Sequence, residues 1–183
     1  MFRLMRRHPL VASVLLFLGL GTATIAGAWG FEIFGRYVPC KLCLEQREPY
    51  YLALPLVALA FLPAFLNGPR FLTASLLAVS AGAMAYVAGL GLNQSGADWG
   101  LWEGPAECGG GTASSESVGG LMAQLETLQL VSCTEAAWRF LGLSFAGWNA
   151  VVSTALAGIA LFGAVAALRS KRRALSGKVI EPA

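Results

Sequence analysis

Four cysteines and one arginine carry most of the reactive chemistry in this 183-residue chain. Cys40 and Cys43 stand in "PCKLCLEQREPYY", Pro39 to Tyr51, with two residues between them. Such a pair closes a small disulfide ring, and a helix N-terminus or a nearby cation raises its thiolate share. Lys41 lies between the sulfurs and Arg47 follows Cys43 by four positions. In a helix Cys43 and Arg47 therefore share a face. Pro49 opposes that helix, because it disfavours helical geometry at Glu48 and clashes with the carbonyl of Glu45; the helix either kinks or starts near Pro49. The plainer role for Arg47 is a charge paired with Glu45 or Glu48. Cys108 and Cys133 form a second, wider pair, with Cys108 in the glycine-rich run "AECGGGTA". Two dithiols on one side of a membrane can pass a disulfide between them by thiolate attack; two permanent structural disulfides are the alternative. Four cysteines allow three pairings, and spacing does not choose among them. A zinc site needs two more close ligands, but Cys108 and Cys133 are 25 positions apart and the one histidine, His8, is near the N-terminus. A c-type haem needs His after the second cysteine, where Leu44 stands. No metal is expected.

These residues are set among apolar runs. The chain is 56% hydrophobic and only 13% charged, about half the charge of a soluble domain. A bilayer core of roughly 30 Å takes about 20 apolar residues as helix. Four runs approach that length: 10–29, 49–65, 71–92 and 148–168. The fold class this predicts is an all-α membrane protein, a four-transmembrane-helix bundle forming a single integral membrane domain over 1–183. Pro55 and Pro63 are expected to bend or end the second span, and "NGPR" (Asn67 to Arg70) reads as a turn. Small-residue stretches such as Ala81-Gly82-Ala83 suit close helix packing. Loops at 30–48 and 93–147 separate the spans, and 169–183 forms a tail. In the long loop Val118, Leu121, Met122, Leu125 and Leu128 recur at helical spacing, predicting a short amphipathic helix that lies on the membrane or packs on the loop itself.

Lysine and arginine positions orient the spans. The N-terminus, the turn before the third span and the tail hold nine of the thirteen; the loops at 30–48 and 93–147 hold Arg36, Lys41, Arg47 and Arg139. Both termini are therefore predicted to be cytoplasmic and all four cysteines external, where disulfides persist. All five tryptophans fall on the external side, as interfacial anchors do. A cleaved signal peptide is the competing reading of the N-terminus, but its apolar run is longer than the usual 7–15 residues.

"PCKLCLEQR" resembles the signature of the DsbB family of bacterial inner-membrane disulfide-bond formation proteins, and "SCTEAAWRFLGLSFAGWNA" (Ser132 to Ala150) resembles that family's segment from the last loop cysteine into the fourth helix. The resemblance extends over essentially the whole chain. It implies a quinone-dependent protein-dithiol oxidase that reoxidises a periplasmic, thioredoxin-fold DsbA-like oxidase, with ubiquinone or menaquinone as electron acceptor. By position, Cys108 matches the cysteine attacked by the soluble oxidase and Cys133 its partner, which exchanges with Cys40. Cys43 matches the thiolate beside the membrane quinone and Arg47 the quinone-side cation. Gln94 falls near the polar residue that relatives carry at the end of the third helix as a quinone neighbour. The implied partners are the soluble oxidase, the quinone and the lipid bilayer, with no nucleic acid. A dedicated oxidase for one substrate protein is the narrower variant. The dithiol would sit at an interface because one substrate is water-soluble and the other lipid-soluble.

Overall fold

The computed structural model describes residues 9–65, 69–103, 129–130 and 138–178. Four long helices dominate them: α1 (Pro9–Gly35), α2 (Lys41–Phe65), α3 (Arg70–Asp98) and α4 (Phe145–Lys178). Short strands accompany them: β1 (Tyr37–Val38), β2 (Gln129–Leu130), β3 (Arg139–Phe140) and β4 (Leu143–Ser144). Three stretches, Pro9–Gly35, Arg70–Asp98 and Phe145–Arg169, are long and apolar enough to cross a membrane. In α2, Lys41, Glu45, Arg47 and Glu48 occupy the first two turns, so its apolar stretch is shorter. Large apolar side chains such as Leu59, Leu62, Phe71, Val79, Leu161 and Phe162 are exposed. In water such a surface drives aggregation; in lipid it is the required one. This is a helical membrane protein.

Each helix exceeds the span read from the sequence at one or both ends. The difference that bears on the site is at α2, which starts at Lys41 and runs without interruption through Pro49, Pro55 and Pro63. Neither a start near Pro49 nor a stop at Pro55 occurs. Proline is tolerated inside membrane helices because neighbouring groups can satisfy the freed backbone carbonyls. Likewise α3 continues through Asn93 and Gln94 to Asp98, residues expected in the long loop. The amphipathic segment 118–128 lies outside the described residues.

The chain divides into two compact units. The first comprises Met1–Thr22, Tyr50–Ala85 and Ser153–Ala183. Its buried residues include Val14, Phe17, Val57, Leu77, Met84 and Leu156, with Ala53, Ala60, Ala74, Ala160 and Ala164 between them. The alanines let helix backbones approach, which is how membrane helices gain packing without a hydrophobic driving force. Ser13 and Ser80 return their hydroxyls to the carbonyls of Leu10 and Leu76, so neither carries an unmet donor into the apolar interior.

The second unit comprises Ala23–Pro49 and Tyr86–Val152 and holds the reactive residues. At the end of α1, Arg36 takes a left-handed φ of 53° and turns the chain into β1. β1 pairs in parallel with β2, Tyr37 opposite Gln129 and Val38 opposite Leu130. β3 and β4 form a hairpin whose two connecting residues, Leu141 (φ 51°) and Gly142 (φ 84°), both have positive φ. That is the turn whose twist matches a tight hairpin. An aromatic cluster fastens these pieces: the Phe31 and Phe145 rings meet edge to face at 4.7 Å, and Trp138 stacks on Phe145 at 5.0 Å. Trp148 Nε1 donates to the Phe140 carbonyl at 3.0 Å. At the α3–α4 contact, a Cβ on Gly91 would lie 2.9 Å from the Ala146 carbonyl oxygen and 3.0 Å from the Ala150 Cβ. Only glycine allows that approach.

Candidate active site

Cys40 is the N-cap of α2. Its carbonyl accepts the first helical hydrogen bond, from Leu44 N at 3.1 Å. Its sulfur takes the place of a capping hydroxyl and accepts from Cys43 N at 3.3 Å. The two sulfurs are 2.8 Å apart, and both cysteines are free thiols. Cys40 is 7% exposed and Cys43 partly so. The less accessible sulfur thus holds the helix end while the other remains reachable.

The surroundings separate the two thiols in acidity. The hydrogen bond from Cys40 is the main cause that pushes the Cys43 thiol down to about 6, with help from the Gln94 amide and the positive charge of Arg47 against an opposing cost of burial. The Cys40 thiol is raised, by that same hydrogen bond first and by burial second. The arrangement is one proton held on Cys40 and a thiolate on Cys43. The N-terminal end of α2 favours the same negative charge.

Gln94 reaches both sulfurs: its Nε2 is 3.6 Å from Cys40 Sγ and 3.7 Å from Cys43 Sγ. It is 4% exposed, in the last two turns of α3. Arg47 lies one turn beyond Cys43 on α2, as the four-residue spacing requires. Its ion-pair partner is Glu32 on α1, Nη1 to Oε2 at 2.6 Å, rather than the neighbouring Glu45 or Glu48. A second nitrogen of Arg47 donates to the Ala28 carbonyl at 3.4 Å. Sequence reasoning missed Glu32, Gln46 and Asn149. Gln46 donates from Nε2 to Gln94 Oε1 at 2.6 Å, and Asn149 Nδ2 donates to Gln46 Oε1 at 2.7 Å. The available signal was a polar amide at the head of a long apolar run, which in a membrane helix marks a functional position. Cys108 and Cys133 lie outside the described residues.

A largely buried dithiol at a helix start, with a cation and an oriented amide beside its partly exposed sulfur, defines a membrane-embedded thiol–disulfide redox protein. The chain belongs to the DsbB family: residues 11–163 match Disulfide bond formation protein DsbB. Among its relatives, the Disulfide bond formation protein B of Marinobacter nauticus is 38% identical over 159 residues, covering 79% of this chain and 88% of that protein. Those of Aromatoleum aromaticum and Hahella chejuensis are each 33% identical, covering 80% and 69% of this chain and 89% and 79% of their own lengths. No solved structure matches the chain.

Proposed function

We propose that this protein oxidises a soluble thioredoxin-fold dithiol protein and passes the electrons to a membrane quinone through Cys43. The observation that carries the reading is the placement of Cys43 at the start of α2, with the Gln94 amide 3.7 Å from its sulfur and Arg47 one turn on, where a charged helix end meets an apolar run. These residues suit a quinone. Arg47 and the Gln94 amide are hydrogen-bond donors that match a ring oxygen gaining negative charge, and a thiolate is the reactive form of sulfur. When bound, the quinone supplies a sink for two electrons and two protons. Cys40 and Cys43 would supply both electrons and one proton: with Cys43 already a thiolate, the Cys40 thiol gives up its proton as the pair closes a disulfide, and the second proton comes from water.

The second dithiol links this pair to the soluble substrate. Cys108 exchanges with the partner protein and Cys133 with Cys40. The parallel pairing of Val38 with Leu130 supports the second exchange. Cys40 follows Val38 by two residues and Cys133 follows Leu130 by three, and each residue extends a chain by at most about 3.6 Å. In this reading four spans cross the bacterial inner membrane, the termini are cytoplasmic, and the loops at 30–48 and 93–147 face the periplasm.

The test is reduction of added ubiquinone or menaquinone by the purified protein supplied with a reduced thioredoxin-fold dithiol. Cys43→Ser is expected to abolish quinone reduction. Cys108→Ser is expected to block oxidation of the soluble partner while the Cys40–Cys43 pair still reacts with quinone. Full turnover by Cys43→Ser would leave the protein a scaffold with structural disulfides.

A further inference from the structure

Three side-chain amides form a continuous hydrogen-bonded chain that ends on the dithiol. It starts at Asn149 in the second turn of α4, passes through Gln46 on α2, and reaches Gln94 on α3. Gln46 and Gln94 are each 4% exposed. The chain has a single polarity from its sulfur end outward. A thiolate accepts hydrogen bonds and donates none, so Gln94 must turn its NH2 group to Cys40 and Cys43. Its Oε1 is then left as an acceptor, which requires the NH2 group of Gln46. That in turn leaves Gln46 Oε1 as the acceptor for Asn149 Nδ2. Each link is occupied in this sense, at 2.6 and 2.7 Å for the two amide–amide bonds.

We infer that Asn149 and Gln46 are positioning residues that fix the direction of the Gln94 amide, so that a donor rather than an acceptor always faces the two sulfurs. The inference deepens the reading of Cys43 as the working thiolate and rests on it. Without the two upstream amides, Gln94 is free to turn its oxygen toward a protonated Cys43, an orientation that keeps the proton on that sulfur. With them, one orientation is built in before any substrate arrives, which is how a site avoids reorganisation during reaction. The titratable and charged groups acting on Cys43 are Cys40 and Arg47, with Glu32 paired to Arg47. Lys41, Glu45 and Glu48 are on its own helix, and Asp98 lies one turn beyond Gln94, where its carbonyl accepts from Arg139. The three amides carry no charge at any working pH, so the device acts unchanged across the titration of the sulfur.

The discriminating substitution is Asn149→Asp, isosteric but unable to donate. The new carboxylate would accept from Gln46, Gln46 would accept from Gln94, and the Gln94 oxygen would face the sulfurs. The assay is alkylation of the reduced, full-length protein in detergent, with Cys108→Ala and Cys133→Ala in the background and mass spectrometry reading Cys43 alone as pH varies. Asn149→Asp is expected to raise the midpoint for Cys43 by about one to two pH units, the value of a hydrogen bond to a charged group, and Asn149→Leu by less. A carboxylate also repels a thiolate through space, so both substitutions are repeated with Gln46→Met. With the middle link gone, only the through-space part of the Asn149→Asp shift is expected to remain. An unchanged midpoint in Asn149→Asp overturns the inference, as does a shift that survives undiminished in the Gln46→Met background. If Asn149→Asp does not accumulate, Gln46→Met alone decides: a raised midpoint supports the role and an unchanged one removes it. The readout involves neither quinone nor partner protein, so failure of quinone reduction sinks the functional reading without touching this result.

Discussion

Removing the Cys40 thiol tests whether the two sulfurs divide their labour as the geometry indicates. In Cys40→Ala the largest cause of the low Cys43 value, the hydrogen bond from Cys40, is lost. With its thiol held at about 6, Cys43 is about 90% thiolate at pH 7. An ordinary thiol near 8.5 is about 3% thiolate there. Full loss of the perturbation therefore lowers the reactive fraction about 30-fold. The rate does not follow that fraction alone. A more basic thiolate is a better nucleophile, with a Brønsted slope of about 0.4–0.5, so a 2.5-unit rise returns about 10- to 18-fold. The two effects nearly offset, leaving alkylation at pH 7 only about two- to three-fold slower. A single-pH rate would thus miss the change. The full pH profile exposes it: in the Cys108→Ala, Cys133→Ala background, Cys40→Ala should move the midpoint from about 6 toward the ordinary thiol range. Its alkaline plateau should rise about 10-fold. A midpoint within about half a unit of the parent would refute the assignment of Cys40 as the proton-holding partner.

Stability of the reduced protein should also depend on pH, with a sign fixed by the same pair. Folded Cys43 has lost its proton above about 6, whereas the unfolded chain keeps it to about 8.5; stability should rise through that interval, by no more than about 3 kcal/mol. Above it the raised Cys40 thiol reverses the trend, so thermal unfolding in detergent should peak near pH 8.5, and a flat profile would contradict the coupling. Gly91→Val should cost about 1–3 kcal/mol in the same assay, since its side chain would press on the Ala146 carbonyl and force α3 from α4. Glu32→Gln should change stability by less than about 1 kcal/mol because the ion pair is partly exposed, yet lower the Cys43 midpoint by leaving Arg47 uncompensated. Arg47→Ala should raise that midpoint and raise the apparent KM for quinone; equal midpoints in the two variants would show that Arg47 acts only as a structural charge.

The site was legible in the sequence wherever chemistry depends on local spacing. The dithiol and the four-residue step to Arg47 could be read directly, because a helix turns a spacing of four into adjacency. Gln94 was reached only through the resemblance to the family's third helix, and the structure sets its amide against both sulfurs. The start of α2 stayed open in the sequence, because Pro49 allows either a kinked helix through it or a new start beside it, and the helix runs through it from Lys41. Long-range partners were not legible at all. Glu32 meets Arg47 across the break between α1 and α2, and Asn149 meets Gln46 across 103 positions. Local propensity says nothing about such pairs; they arise only when separate helices pack together.

The capping role of Cys40 has one further consequence. In the proposed exchange, the sulfur that secures the first turn of α2 is itself oxidised. Whenever it bonds to a distant cysteine, the Cys43 amide loses its acceptor and that turn is free to fray. The backbone therefore records the electron count of the site, and amide hydrogen exchange at Cys43 would read it without any redox dye.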